Sequence, residues 1–138
     1  MAIKIYPSGL GEIANGGIDL DTTDIRVQPV RAAYVYNGAH ANLSDIVAGT
    51  ERDGTAVALT GKAIITPGSP ANSRALDAAD TPLGTLPNGG NALVLYKHSG
   101  VEATSTLLAY IDGITWTAGQ APTAVWSANG IIYLSSAT

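Results

Sequence analysis

The sequence predicts an all-β fold, namely an antiparallel β-sandwich or jelly-roll-like single domain with one or two short helices. Short apolar runs alternate with turn residues at close intervals, which is typical of antiparallel sheets. Helical periodicity is poor almost everywhere. The chain has 138 residues, of which 46% are hydrophobic and 13% charged. That length and composition are enough for one domain with its own core.

Eight segments are predicted as strands, because β-branched and aromatic residues concentrate there between Gly, Pro, Asn and Ser. The runs at residues 91–97 and 104–111 are apolar on both faces, which is typical of central strands, and we expect them to form a hairpin. The dipeptide Asn129-Gly130 predicts a second hairpin, because both residues tolerate a positive φ. The predicted strands are residues 25–28, 31–36, 55–60, 62–66, 91–97, 104–111, 123–127 and 131–135.

Helical signals are confined to two short segments. In residues 42–47, Leu43, Ile46 and Val47 follow the i, i+3, i+4 spacing of one helix face, and Gly49 ends the segment. A second turn is predicted around residues 74–79. The predicted core residues are Leu93, Leu95, Leu108, Ile111, Trp126 and Leu134.

The first seventeen residues differ in composition from the rest. Ile3, Ile5 and Tyr6 belong to a short alternating segment, and four glycines follow it before residue 18. This pattern predicts an N-terminal arm over residues 1–17 and a β-sandwich domain over residues 18–138. An arm of this kind can add a strand to a neighbour's sheet, so Ile3, Ile5 and Tyr6 are the candidate interface residues. The alternative is an ordinary first strand of the domain.

Charge and hydropathy argue against several classes of partner. The net charge is −4, and the seven Lys and Arg residues are scattered with no two adjacent. A nucleic-acid-binding protein normally carries a basic stripe, so we expect no nucleic-acid partner. No apolar run approaches the ~20 residues of a membrane span, so we expect no membrane partner. The N-terminus lacks a signal peptide's apolar region, which indicates synthesis in a cytoplasm without cleaved export.

No motif predicts a catalytic, cofactor-binding or metal-binding residue, and we expect no cofactor and no enzymatic activity. The start of a calcium-binding loop is similar to the pattern of Asp19, Asp21 and Asp24. The sixth position, however, is Asp24 where glycine is needed, so a turn is expected instead. The only histidines, His40 and His98, lie among turn residues. The Gly-Lys pair at residues 61–62 lacks the spacing of a phosphate-binding loop.

The two tryptophans allow two interpretations. Trp116 and Trp126 could stack on sugars, but in a protein without phenylalanine they are better explained as core or interface anchors. With no cysteine, the chain has no disulfide and no thiol chemistry.

Residues 18–27 (IDLDTTDIRV) and residues 41–46 (ANLSDI) are the first of several segments that carry a resemblance when taken in order. They resemble the opening "D-L-x-T-D-x-I-x-V" strand and the helical turn of a family of small tailed-phage structural proteins described as virion or head decoration proteins. The segments LTGK (59–62), LDAAD (76–80), ALVLYK (92–97), STLLAYID (105–112) and WSANGI (126–131) match later parts of the pattern. The chain departs from the family by lacking every phenylalanine and by a longer loop at residues 67–73.

The resemblance implies a capsid decoration, or cement, protein that binds and stabilises the major capsid shell. The implied partner is the major capsid protein, the implied location is the outer capsid surface of the virion, and a homo-oligomer, with a trimer favoured, is expected at the shell's symmetry axes. The alternative is a tail or fibre component that contacts the host surface. A polysaccharide hydrolase is a third class, but no acid–base pair stands out in the sequence.

Overall fold

The computed structural model describes residues 2–135, and these form an antiparallel, mostly β fold with one short α-helix. The predicted all-β class is therefore confirmed. No helix in residues 2–135 is long and apolar enough to cross a membrane. The elements are β1 (Ile3–Ile5), α1 (Pro7–Ala14), β2 (Ile25–Val30), a 3-10 helix (Leu43–Asp45), β3 (Val57–Ala58), β4 (Ala63–Ile65), β5 (Ser73–Asp77), β6 (Thr81–Pro82), β7 (Gly90–Lys97), a second 3-10 helix (Glu102–Thr104), β8 (Leu107–Trp116), β9 (Thr123–Ala124) and β10 (Ile132–Ser135).

The largest sheet has five strands in the order β1-β8-β7-β2-β3. Its centre is the predicted hairpin, in which Leu93 lies opposite Ile111, and a register shift follows Leu95. A three-stranded sheet has the order β10-β5-β4, and β6 pairs with β9. All of these pairings are antiparallel.

The main core lies between the five-stranded and three-stranded sheets. Leu93, Leu95 and Ile111 of the larger sheet belong to one buried cluster with Leu76 and Ile132 of the smaller sheet. The arrangement is therefore sandwich-like. Five of the six predicted core residues are buried: Leu93, Leu95, Leu108, Ile111 and Trp126. Leu134 is the exception and is exposed, because only Ile132 of β10 is buried and the rest of the strand extends beyond the core.

The opposite face of the large sheet is covered by a long segment of the chain rather than by a second sheet. Residues 31–56 contribute Tyr34, Leu43 and Ile46 to a second buried cluster. The strand predicted at residues 31–36 is therefore wrong, since those residues form turns and loops. The helix predicted at residues 42–47 is shorter and is a single 3-10 turn. These residues cover the sheet with side chains from an irregular backbone.

Two further local predictions are wrong. The segments 123–127 and 131–135 do not pair with each other, since β9 pairs with β6 and β10 pairs with β5. Gly130 does have the predicted positive φ, but the next residue, Ile131, donates its N–H to the carbonyl of Leu76 in β5. Residues 74–79 do not form a helical turn, because β5 is the central strand of the three-stranded sheet.

The structure also corrects the N-terminal arm predicted over residues 1–17. β1 pairs with β8 of the same chain, with Ile3 opposite Ile111. Helix α1 packs on β8 so closely that a Cβ at Gly9 would lie 2.8 Å from the carbonyl oxygen of Leu107. Lys97 donates a 2.7 Å hydrogen bond to the carbonyl of Gly17. The glycines here allow close packing and a tight turn, so the segment is the first strand and helix of the domain.

Candidate functional site

β1 is an edge strand whose outer side carries backbone hydrogen-bonding groups, and one of them, the carbonyl of Ile5, accepts from the Tyr36 hydroxyl at 3.4 Å. The carbonyl of Ala2 accepts from the N–H of Asp112, and the N–H of Tyr6 donates to the carbonyl of Leu108. In an antiparallel pair this alternation turns the N–H and C=O groups of Ile3 and Ile5 away from β8. Within residues 2–135 no strand pairs with that outer side. Two of the three candidate interface residues therefore lie where a partner strand can add.

A small apolar groove of about 90 Å³ lies beside this edge. Ile3 of β1 and Tyr133 of β10 both line it, so the edge strands of the two sheets border one opening of the sandwich. Tyr133, Leu134 and Ile64 are large apolar residues of the smaller sheet that are exposed to solvent. The complete lining is Ile3, Ile111, Trp126, Ser127, Gly130, Ile131 and Tyr133. This side of the molecule combines an open backbone edge with apolar surface.

Tyr6, the third candidate interface residue, is fully buried within its own chain. Its hydroxyl lies 2.8 Å from that of Tyr34, which lies 3.1 Å from Nδ1 of His40. Burial, together with the hydrogen bond to Tyr34, raises the pKa of the Tyr6 hydroxyl well above its ordinary value. Tyr6 therefore holds β1 onto the tyrosine-rich face of the sheet and presents no surface to a partner.

A larger, polar pocket of about 370 Å³ opens towards the other edge of the five-stranded sheet. Its walls come from β2, the loop before β3, the end of β7 and the connection between β7 and β8. The lining residues are Gln28, Leu43, Arg52, Gly54, Thr55, Ala56, Tyr96, His98, Gly100, Val101, Glu102 and Ser105.

Arg52 is the buried centre of the pocket wall. Its Nε donates to the carbonyl of Ile46 at 2.8 Å, and one terminal nitrogen donates to the carbonyl of Leu43 at 2.7 Å. The guanidinium also binds both carboxylate oxygens of Glu102, at 2.7 and 3.1 Å. The hydrogen bond from Arg52 lowers the pKa of the Glu102 carboxyl. Arg52 thereby ties residues 43–46 to the second 3-10 helix and fixes the shape of the pocket.

No group of side chains in residues 2–135 has the geometry of a nucleophilic catalytic site. His40 bonds to Tyr34, and the His98 ring lies 6.3 Å from that of Tyr96. Neither histidine has a hydrogen bond to a serine or a carboxylate among the described residues. A general base needs such a partner on each side.

The aspartates before β2 form a turn, as the sequence predicts. Thr22 and Thr23 donate their N–H groups to the carbonyl of Asp19, and Asp24 pairs with Arg26 at 3.1 Å. A hydrogen bond with Asp19 raises the pKa of the Asp21 carboxyl. Among the described residues, no group of three or more His, Cys, Asp or Glu could hold a metal ion.

The tryptophans are core anchors, which confirms the preferred interpretation. Trp116 is buried and donates its Nε1 to a carboxylate oxygen of Asp53 at 2.9 Å. Trp126 is buried and donates its Nε1 to the hydroxyl of Thr81 at 3.2 Å. Neither ring is free to stack on a sugar at the surface.

Sequence reasoning missed the polar pocket and its main residues, Gln28, Arg52 and Tyr96. A usable signal was present in Glu51-Arg52-Asp53, three consecutive charged residues in a chain with only 13% charged residues. Such a cluster in an irregular segment indicates a polar network that holds the loop in place.

No family model matches the chain, and no curated protein matches it.

Proposed function

We propose that this chain is a structural protein of a tailed-phage virion that decorates the outer surface of the capsid. The major capsid protein is the proposed partner, and the role is structural rather than catalytic. Segments that resemble the decoration family lie in the most buried part of the fold. Residues 92–97 belong to β7, and residues 107–112 belong to β8. The resemblance therefore concerns the residues that determine the fold, which supports the proposal.

The open edge of β1 is the observation that carries the proposed attachment. Both backbone groups of Ile3 and the N–H of Ile5 face outwards for a partner, and the adjacent groove exposes apolar surface at Tyr133. A strand added there gains main-chain hydrogen bonds and buries apolar side chains in the groove. The partner strand belongs to the capsid protein, while contacts between sister subunits form the homo-oligomer, with a trimer favoured.

The charge of the chain agrees with a place outside the shell. The net charge of −4 disfavours contact with packaged DNA, whose phosphates repel an acidic surface. Repeated weak contacts over many symmetric copies suffice for stable attachment, because linked sites raise the effective concentration.

A tail or fibre component that contacts the host remains the alternative. Tyr and Trp side chains exposed in loops would favour that interpretation, and Trp116 and Trp126 are both buried. Copy number discriminates between the two functions, since a shell carries hundreds of decoration subunits and a tail carries far fewer copies. Quantitative mass spectrometry of virions from the phage or prophage that carries the gene is the measurement. Absence of the chain from those virions would contradict both.

The attachment is tested with two variants of one residue. Ile3→Pro removes the outward N–H and the side chain, whereas Ile3→Ala removes only most of the side chain. We expect Ile3→Ala to bind capsids that lack this protein nearly as well as the wild type does, and Ile3→Pro to lose at least tenfold in affinity. Circular dichroism and thermal melting check that both variants fold. Equal binding by the two variants would show that the β1 edge does not carry the attachment.

A further inference from the structure

Two largely buried side chains line the polar pocket, Gln28 and Tyr96, and each has a polar atom without a hydrogen-bond partner among residues 2–135. Gln28 uses its side-chain amide nitrogen on the carbonyls of Pro29 and Asp53, at 2.9 and 3.0 Å. Its side-chain oxygen accepts no hydrogen bond from residues 2–135. The Tyr96 hydroxyl likewise has no hydrogen-bond partner in that range. The two residues are only 4% and 3% exposed.

The polar atoms of Gln28 and Tyr96 are not sealed from solvent. No side-chain nitrogen or oxygen that is fully shielded from solvent lacks a partner among the described residues. The Gln28 oxygen and the Tyr96 hydroxyl therefore retain a small contact with solvent, and the pocket that both residues line is where that contact occurs. Unsatisfied groups of this kind, held in a rigid wall, are typical of a binding site.

The charges around the pocket exclude two classes of ligand. Arg52 directs its guanidinium to two backbone carbonyls and to Glu102, so it is not free to bind a phosphate or a carboxylate. Glu102 is neutralised by Arg52, which disfavours a cationic ligand. The available groups are an amide oxygen, a phenol hydroxyl and the remaining lone pairs of a half-exposed carboxylate. These groups match a neutral ligand with several hydroxyl groups.

We propose that the polar pocket binds one neutral saccharide unit. Sugar hydroxyls donate to the Gln28 oxygen and to Glu102, and the Tyr96 hydroxyl donates to or accepts from a third. The imidazole of His98, which also lines the pocket, contacts the C–H groups of the sugar. The pocket volume of about 370 Å³ is at the small end of the range for ligand sites, which suits a single sugar ring. This site is separate from the β1 edge and does not depend on capsid attachment.

The experiment is a titration of the isotopically labelled full chain by NMR. The probes are methyl glycosides of glucose, galactose, mannose, rhamnose and N-acetylglucosamine, each taken into the millimolar range. We expect at least one probe to give saturable shifts of the Gly54 and Gly100 amides, which line the pocket. If none of the glycosides binds, or if the shifts map to another surface, the proposal is wrong.

Tyr96→Phe and Tyr110→Phe form a matched pair for the same titration. Tyr96→Phe removes only the hydroxyl in the pocket, whereas Tyr110 lies on the same sheet but does not line the pocket. Loss of one neutral hydrogen bond weakens binding by about fivefold. We expect that loss for Tyr96→Phe and none for Tyr110→Phe, with similar melting temperatures. Equal losses, or no loss, would overturn the proposal, and so would preferential binding of n-butylammonium, since that would indicate a cation site at Glu102.

Discussion

A substitution at Asp53 tests how strongly side-chain hydrogen bonds hold the loops on the sheet. Its carboxylate is buried and accepts from Nε1 of Trp116 at 2.9 Å and from Nδ2 of Asn88 at 3.0 Å. The backbone N–H of Asn88 also donates to it. Asp53 thus joins the loop before β3 to the loop before β7 and to the end of β8. We expect Asp53→Asn to be strongly destabilising.

The magnitude follows from the hydrogen bonds that the amide cannot accept. An asparagine keeps one acceptor oxygen, so either Trp116 or Asn88 then faces an N–H group. Losing one charge-assisted bond and leaving a donor unsatisfied costs about 2–3 kcal/mol. For a chain of this size that corresponds to a decrease of roughly 10 °C in melting temperature. Urea unfolding followed by tryptophan fluorescence is the assay, since Trp116 itself reports on the site.

The pH dependence of the difference in unfolding free energy between the wild type and Asp53→Asn is a sharper test. Burial by itself raises the pKa of the Asp53 carboxyl, but the hydrogen bonds from Trp116 and Asn88 outweigh it, so the pKa lies below its ordinary value. The stabilisation by the charged form is fully present above the unfolded pKa of about 3.9 and is lost as pH falls through the lowered folded pKa. The free-energy difference between wild type and Asp53→Asn should therefore shrink from pH 7 towards pH 3. A constant difference would refute the assigned role of the carboxylate.

Three further substitutions test the packing. A Cβ at Gly90 would clash with the carbonyl oxygen of Val30 and the Trp116 ring, so Gly90→Ala should destabilise by about 1–3 kcal/mol, whereas Gly11→Ala in open space on α1 should stabilise slightly. Changes of opposite sign in the melting temperatures of the two glycine variants would confirm this expectation, and equal changes would contradict it. Leu95→Ala removes a fully buried side chain and should cost about 2–5 kcal/mol in denaturant unfolding, while a loss below about 0.5 kcal/mol would place it outside the core.

The sequence predicts the central strands well because their signal is local. β7 and the first half of β8 are apolar on both faces, and such runs have few structural alternatives. The burial of Leu93, Leu95 and Ile111 follows from the same pattern. Trp116 and Trp126 were also predicted as anchors, because large aromatic residues in a chain without phenylalanine must supply much of the core.

The wrong predictions concern segments whose structure depends on distant contacts. Residues 31–36 have the composition of a strand, but Tyr34 is used instead to cover the face of the sheet. The Asn129-Gly130 turn forms, yet the following strand pairs with β5, and the N–H of Ile131 bonds to the carbonyl of Leu76 in that strand. Local turn chemistry determines the φ angle but not the partner strand.

The N-terminal segment illustrates the same limit at the candidate site. The glycines of residues 1–17 suggest a flexible segment that can leave the domain. Gly9 instead allows a close contact between α1 and β8 that no local pattern reveals. The alternation of Ile3 and Ile5 was interpreted correctly as that of an edge strand. The pocket at Arg52 was missed because its residues come from four separate segments of the chain.

The two proposed sites lie towards opposite edges of one sheet, and this placement yields a last prediction. β1 is the first strand in the order β1-β8-β7-β2-β3, while Gln28 lies on β2 and Gly54 precedes β3. Three strand spacings separate β1 from β2, which is about 14 Å. A partner strand on β1 therefore leaves the pocket open. We expect Ile3→Pro to keep the wild-type affinity for the glycoside, and Tyr96→Phe to keep the wild-type affinity for capsids. If either substitution weakens both binding events in a folded protein, the two sites are coupled or are one surface, and the assignment of separate roles to the two edges is wrong.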